Sequence, residues 1–94
     1  MYIPKPKDTS DIILGDELLA LTEVIAANVH EIWAKKRISE GWKYGSERSD
    51  ADRTTPCLVP YDELDDIEKE YDRSTALETI KLLISLGYSI EKKK

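Results

Sequence analysis

The chain has no phenylalanine, one histidine, one cysteine, one methionine and four glycines among its 94 residues. Each shortage removes a class of function. The single thiol, Cys57, has no partner for an internal disulfide and cannot build a cysteine-based metal cluster, which agrees with a reducing compartment and with service as a small buried hydrophobe. The single imidazole, His30, lies beside Val29 in a helical stretch, where a hydrogen-bonded structural role is expected; no Gly-x-Ser-x-Gly elbow accompanies it. Too few glycines are present for a phosphate loop. Asp50, Asp52 and Thr54 open with the spacing of a calcium loop, but Cys57, Val59 and Pro60 stand where its later ligands belong. No enzyme, metal site or cofactor is expected.

Long apolar runs are absent as well. Nothing approaches the roughly 18 residues of a membrane span, and Met1–Lys7 lacks the apolar core of a signal peptide, so the chain reads as cytoplasmic. Positive charge is scarce: the formal net charge is −5 and the only basic run is Lys92-Lys93-Lys94, which argues against a phosphate-tracking surface for nucleic acid.

What is present is a globular balance of 40% hydrophobic and 35% charged residues, enough for one domain with one core. Residues 1–15 read as an extended arm, because Pro4 and Pro6 oppose helix and Asp8-Thr9-Ser10-Asp11 has turn chemistry; Ile12-Ile13-Leu14 is expected to pack on the body. From Asp16, which can cap the first amides, Leu18, Leu21, Ile25, Val29, Ile32 and Trp33 recur at intervals of three and four, predicting a helix that Gly41 stops.

Between Gly41 and Pro60 the helical period is lost. Trp42-Lys43-Tyr44-Gly45 alternates like a short strand, residues 46–55 are polar and turn-rich, and Pro56–Pro60 is a brief apolar segment, so a small two-stranded element is compatible with the pattern. Tyr61–Leu64 reads as a single helical turn, and a second long helix starts at Asp65 or Asp66 and ends at Gly87. Its apolar face changes phase: Ile67 and Tyr71 lie on one side, Ala76, Leu77, Ile80, Leu83 and Ile84 on the other. Either the helix breaks near 72–75, or its two halves meet different partners; the second is preferred. The fold class is thus α+β, mostly helical, with two long helices, a central irregular loop and short extended segments.

Large aromatics crowd the middle of the chain at Trp33, Trp42, Tyr44, Tyr61 and Tyr71, with Arg37, Arg48, Arg53 and Arg73 near them. Rings stack on a planar base and guanidinium groups fork onto phosphates. The same residues also serve to close a small core, the role expected of Trp33. The carboxylates from Asp62 to Glu70 read as a solvated face.

Asn28–Ala34, Arg37-Ile38, Glu40–Gly45, Pro56–Tyr61, Glu68–Arg73 and Thr75–Thr79, in that order and spacing across about 12–88, resemble the ryanodine receptor repeat. The resemblance implies a mostly helical α+β module that occurs in tandem pairs in the calcium channels, outside the pore. A single repeat removes any inference of channel activity; two copies are expected to pair, using the apolar face of the second helix left over by the phase change. Prokaryotic relatives are thought to sense nucleotide-like ligands, which makes Trp42, Tyr44, Arg48, Tyr61, Tyr71, Asp72 and Arg73 the candidate ligand-binding set. The alternative is a protein-interaction module in which the aromatics serve the fold.

Overall fold

A computed structural model describes residues 1–93; Lys94, the last of the lysine tail, lies outside the described residues. Two helices dominate, α1 (Asp16–Ser39) and α2 (Asp66–Ser85), joined by a loop that holds strands β1 (Lys43–Tyr44) and β2 (Thr54–Thr55) and one 3-10 turn, Tyr61–Glu63. This is the mostly helical α+β arrangement the pattern called for. No helix among the described residues is long and apolar enough to cross a membrane.

Both helices end in the same way. In α1 the amide of Gly41, at φ +92°, donates to Ile38 and that of Trp42 to Arg37; in α2, Gly87 (φ +99°) donates to Ile84 and Tyr88 to Leu83. These paired bonds satisfy the last free carbonyls, and the left-handed residue they require is a glycine in each case. The starts differ. Asp65 caps α2 by accepting from the Glu68 amide at 2.9 Å. In α1 the cap position falls on Gly15 and no side chain bonds there, so Asp16 sits inside the first turn and acts only through its charge on the helix dipole, a correction to its expected capping role.

The helices pack on one another through small residues. Ala26 and Ala76 are fully buried, in one cluster with Tyr61 and Leu64, and Ile25, Ala27, Cys57 and Val59 close in around them. The buried stripe of α1 is Thr22, Ala26 and His30, flanked by the larger apolar residues expected at its centre, while Ile32 faces solvent. Alanine at the contact lets two backbones approach closely, which Leu or Ile there would prevent. α2 is continuous through 72–75. Thr75 donates to the Tyr71 carbonyl and Thr79 to that of Thr75, so these hydroxyls follow the helix instead of breaking it. Ala76 and Ile80 turn toward α1, and Ile67 and Tyr71 turn outward, so the two halves do have different surroundings.

The arm is tied down at its base. Thr9 is buried and donates to Glu78 Oε1 at 2.7 Å, Leu14 is buried, and Asp8 accepts from the amide and hydroxyl of Ser10. Of the apolar triplet only Leu14 is buried; Ile13 is fully exposed. In the loop, β1 and β2 pair in parallel, Lys43 opposite Thr54 and Tyr44 opposite Thr55, and an antiparallel bridge joins Ser49 to Thr54. Gly45 must lack a side chain, because a Cβ there would stand 2.6 Å from Thr54 Cβ.

Candidate functional site

A hollow of about 400 Å³ opens where the loop crosses between the helices, lined by His30 and Trp33 of α1, Arg48, Thr55, Pro56 and Cys57 of the loop, Leu64, and Glu68, Tyr71 and Asp72 of α2. That volume lies within the range of small-molecule sites. A larger depression of about 940 Å³ lies between Leu18, Leu21 and Val24 of α1 and Ile90–Lys93. Its floor is apolar, with charge only from Glu17, Glu91, Lys92 and Lys93, whereas the smaller hollow brings aromatic, cationic and acidic side chains together and is the candidate site.

One wall is built by the helix ending. Because the Trp42 amide folds back onto Arg37, the indole lands on that guanidinium, with Arg37 Cζ 5.0 Å from the Trp42 ring centroid and 5.9 Å from that of Trp33. Arg48 adds a further layer, 5.7 Å above Trp42. His30 lies stacked on Trp33 at 5.5 Å. Pairwise contacts thus link His30, Trp33, Arg37, Trp42 and Arg48, and both His30 and Arg48 line the hollow. Stacking holds each cation in place with less loss of freedom than a lone surface arginine suffers. Arg37 also lies 3.7 Å from Glu40, and Arg53 fastens the same corner by donating to the Glu40 carbonyl at 2.7 Å.

The opposite wall is acidic. Glu68 and Asp72 are four residues apart on α2 and so lie one turn above the other on the same face. Burial pushes the Asp72 carboxyl above its ordinary value, against a smaller opposing pull from His30. The Cys57 thiol is likewise raised, first by burial and then by the Glu68 charge, so it is a poor nucleophile. His30 is buried and its Nε2 donates to the Val59 carbonyl at 2.7 Å, a bond that fixes that nitrogen as the protonated one. No set of three or more His, Cys, Asp or Glu side chains suited to a metal ion occurs among the described residues.

Of the seven residues singled out from sequence, Arg48, Tyr71 and Asp72 line this hollow, and Trp42 supports it from behind through Arg48. Tyr44, Tyr61 and Arg73 do not. Tyr44 projects from β1 and is 59% exposed. Tyr61 is buried and donates to Glu23 at 3.0 Å, and Arg73 grips the same carboxylate with two bonds of 2.7 and 3.0 Å. One residue on from Asp72 is 100° round the helix, which is why Arg73 faces Glu23 on α1 instead of the hollow. The Arg73 guanidinium, more than Tyr61, holds Glu23 below the usual carboxylate range; Tyr61 is raised, by burial first and then by Glu23.

His30, Trp33, Cys57 and Glu68 were absent from the set drawn from sequence. Trp33 is half-buried and forms a wall of the hollow, in place of the fully interior position expected of it. The signal was present in the spacing, since His30 and Trp33 stand one turn apart on α1 as Glu68 and Asp72 do on α2.

The RyR domain family model matches residues 2–92, a stretch that takes in the proline-rich arm as well as both helices and the loop. With all but three residues of the 94 inside that match, the chain belongs to the RyR domain family.

Proposed function

We propose that this domain is a non-enzymatic, cytoplasmic binding module that takes a nucleotide-like small molecule in the hollow between Trp33 and Asp72. The observation that carries the proposal is the meeting of opposite chemistries across one cavity, with stacked Arg48 on one side and the Glu68–Asp72 pair on the other. A planar base would lie against the Trp33 and Tyr71 rings, and ribose hydroxyls or an exocyclic amine would donate to Asp72 or Glu68. Phosphate belongs at the rim, where Arg48 would exchange its exposed 3.2 Å pair with Asp50 for a charge-assisted bond to the ligand. Two carboxylates lining the hollow disfavour a phosphate chain inside.

Binding without catalysis is supported by the raised Cys57 thiol, a poor nucleophile, and by the tie of His30 Nε2 to the Val59 carbonyl, which gives the imidazole a structural role. The test is thermal melting and tryptophan fluorescence with ATP, ADP, cyclic AMP, NAD and ADP-ribose. A true ligand at a hundredfold excess over its dissociation constant adds about 2.7 kcal/mol of stability. Arg48→Ala and Asp72→Asn should each abolish the shift, whereas Tyr44→Ala should leave it. No shift with any of the five compounds would transfer the assignment to a protein-interaction module.

A further inference from the structure

Most polar side chains that line the hollow are already engaged. His30 is tied through Nε2 to the Val59 carbonyl at 2.7 Å, the buried Thr55 hydroxyl accepts from the Cys57 amide at 3.2 Å, and Arg48 is paired with Asp50 at 3.2 Å. The Glu68 charge acts on the Cys57 thiol. Asp72 differs. Among the described residues no ion pair and no side-chain hydrogen bond engages its carboxyl group, although it is only partly exposed and burial works against its charge. No buried side-chain oxygen or nitrogen there lacks a partner, so the unpaired oxygens of Asp72 are open to solvent on the wall of the hollow.

A carboxylate presents two acceptors side by side and no donor. Its best complement is a group with two parallel N–H bonds, the fork that arginine offers to carboxylates within proteins. Among the common nucleobases guanine alone carries such a fork on one edge, in its ring N1–H and its exocyclic amine. Adenine and cytosine set one amine beside a ring-nitrogen lone pair, and uracil sets one N–H between two carbonyls. Each of these would turn a lone pair toward the second carboxylate oxygen, leaving it unmatched.

We infer, on the basis of the nucleotide site proposed above, that Asp72 reads the base edge and that the hollow prefers guanine nucleotides to adenine nucleotides. The rings of Trp33 and Tyr71 stack on any base, and Arg48 at the rim meets a phosphate common to all nucleotides, so neither makes that choice. AMP keeps those contacts and still binds, but more weakly.

Isothermal titration calorimetry of the full chain with GMP, IMP and AMP at about pH 7.5, well above the ordinary carboxylate range, tests the preference. GMP should bind at least about tenfold tighter than AMP, the discrimination a bidentate contact to a base edge supplies. IMP, which keeps the ring N1–H and lacks the amine, should fall between them. Asp72→Asn is nearly isosteric and puts an amide donor where one oxygen stood. It should cost GMP at least about tenfold more than AMP, bringing the two to parity, with circular dichroism checking that the helices are kept. Glu68→Gln should weaken both alike and leave their ratio intact. AMP binding as tightly as GMP, or a preference lost with Glu68→Gln and kept with Asp72→Asn, would overturn the reading of the base by Asp72 while leaving the nucleotide site in place. Binding of none of the three would overturn both.

Discussion

Gly41→Ala is the substitution whose cost can be assembled from separate parts. The backbone at Gly41 has φ +92°, a conformation that an L side chain enters at roughly 1–2 kcal/mol. A Cβ built there stands 3.0 Å from Arg53 Nη1, the nitrogen that donates to the Glu40 carbonyl. The far end of an arginine can move aside, and the consequence is loss of that hydrogen bond, worth about 0.5–1.5 kcal/mol net. Together the two effects come to about 2–3 kcal/mol, which for a domain of this size lowers Tm on the order of 10–20 °C. Gly15→Ala is the milder comparison: its backbone is extended, with nothing within 4 Å of the added methyl, so only the preference of a helix start for glycine over alanine is lost, about 1 kcal/mol or less. The assay is urea denaturation of Gly41→Ala, Arg53→Ala and the double variant, arranged as a cycle. Strain survives the removal of Arg53 and the lost bond does not, so Gly41→Ala should cost about 1 kcal/mol less in the Arg53→Ala background. A neutral Gly41→Ala would refute the left-handed helix ending. Strict additivity would refute the Arg53 clamp.

Three further outcomes follow from burial and charge. Ile80→Ala, at 3% exposure, should cost about 2–5 kcal/mol in chemical denaturation, and Ile67→Ala, at 72%, less than about 0.5. Because Glu23 is held below its ordinary value of 4.5 by Arg73, its contribution is fully present above that pH and fades as pH falls through the lower folded value. Glu23→Gln should therefore flatten the acid limb of a stability–pH curve, and an unchanged limb would count against the Tyr61–Glu23–Arg73 cluster as its source. Iodoacetamide should modify Cys57 more slowly at pH 8 than it modifies a free thiol, and denaturant should erase the difference; equal rates in the folded state would contradict the raised thiol.

The helical framework was legible because its signals are local. Gly41 and Gly87 mark two stops, Asp65 marks a start, and period-three-and-four spacing fills the space between. Two things were not local. The parallel pairing of Lys43–Tyr44 with Thr54–Thr55 involves strands of two residues, too short for alternation to register, and joins segments across a polar loop. The face α1 buries was displaced from its most hydrophobic stripe, since close approach of two helices selects Ala26 and Ala76 over larger neighbours. The site was half legible for the same reason. Residue type pointed to aromatics and arginines, but only the phase of α2 separates Asp72, in the hollow, from Arg73, which is spent on Glu23.

The alanine contact also has a bearing on how this domain can change. The hollow is bounded by one helix on each side, so its width depends on how near Ala26 and Ala76 allow the two axes to come. A single added methyl group at either position would alter the cavity while leaving every lining residue untouched. The shape of the hollow in this architecture is thus adjustable from a distance, by spacer size in the interior, without any change among the lining side chains themselves.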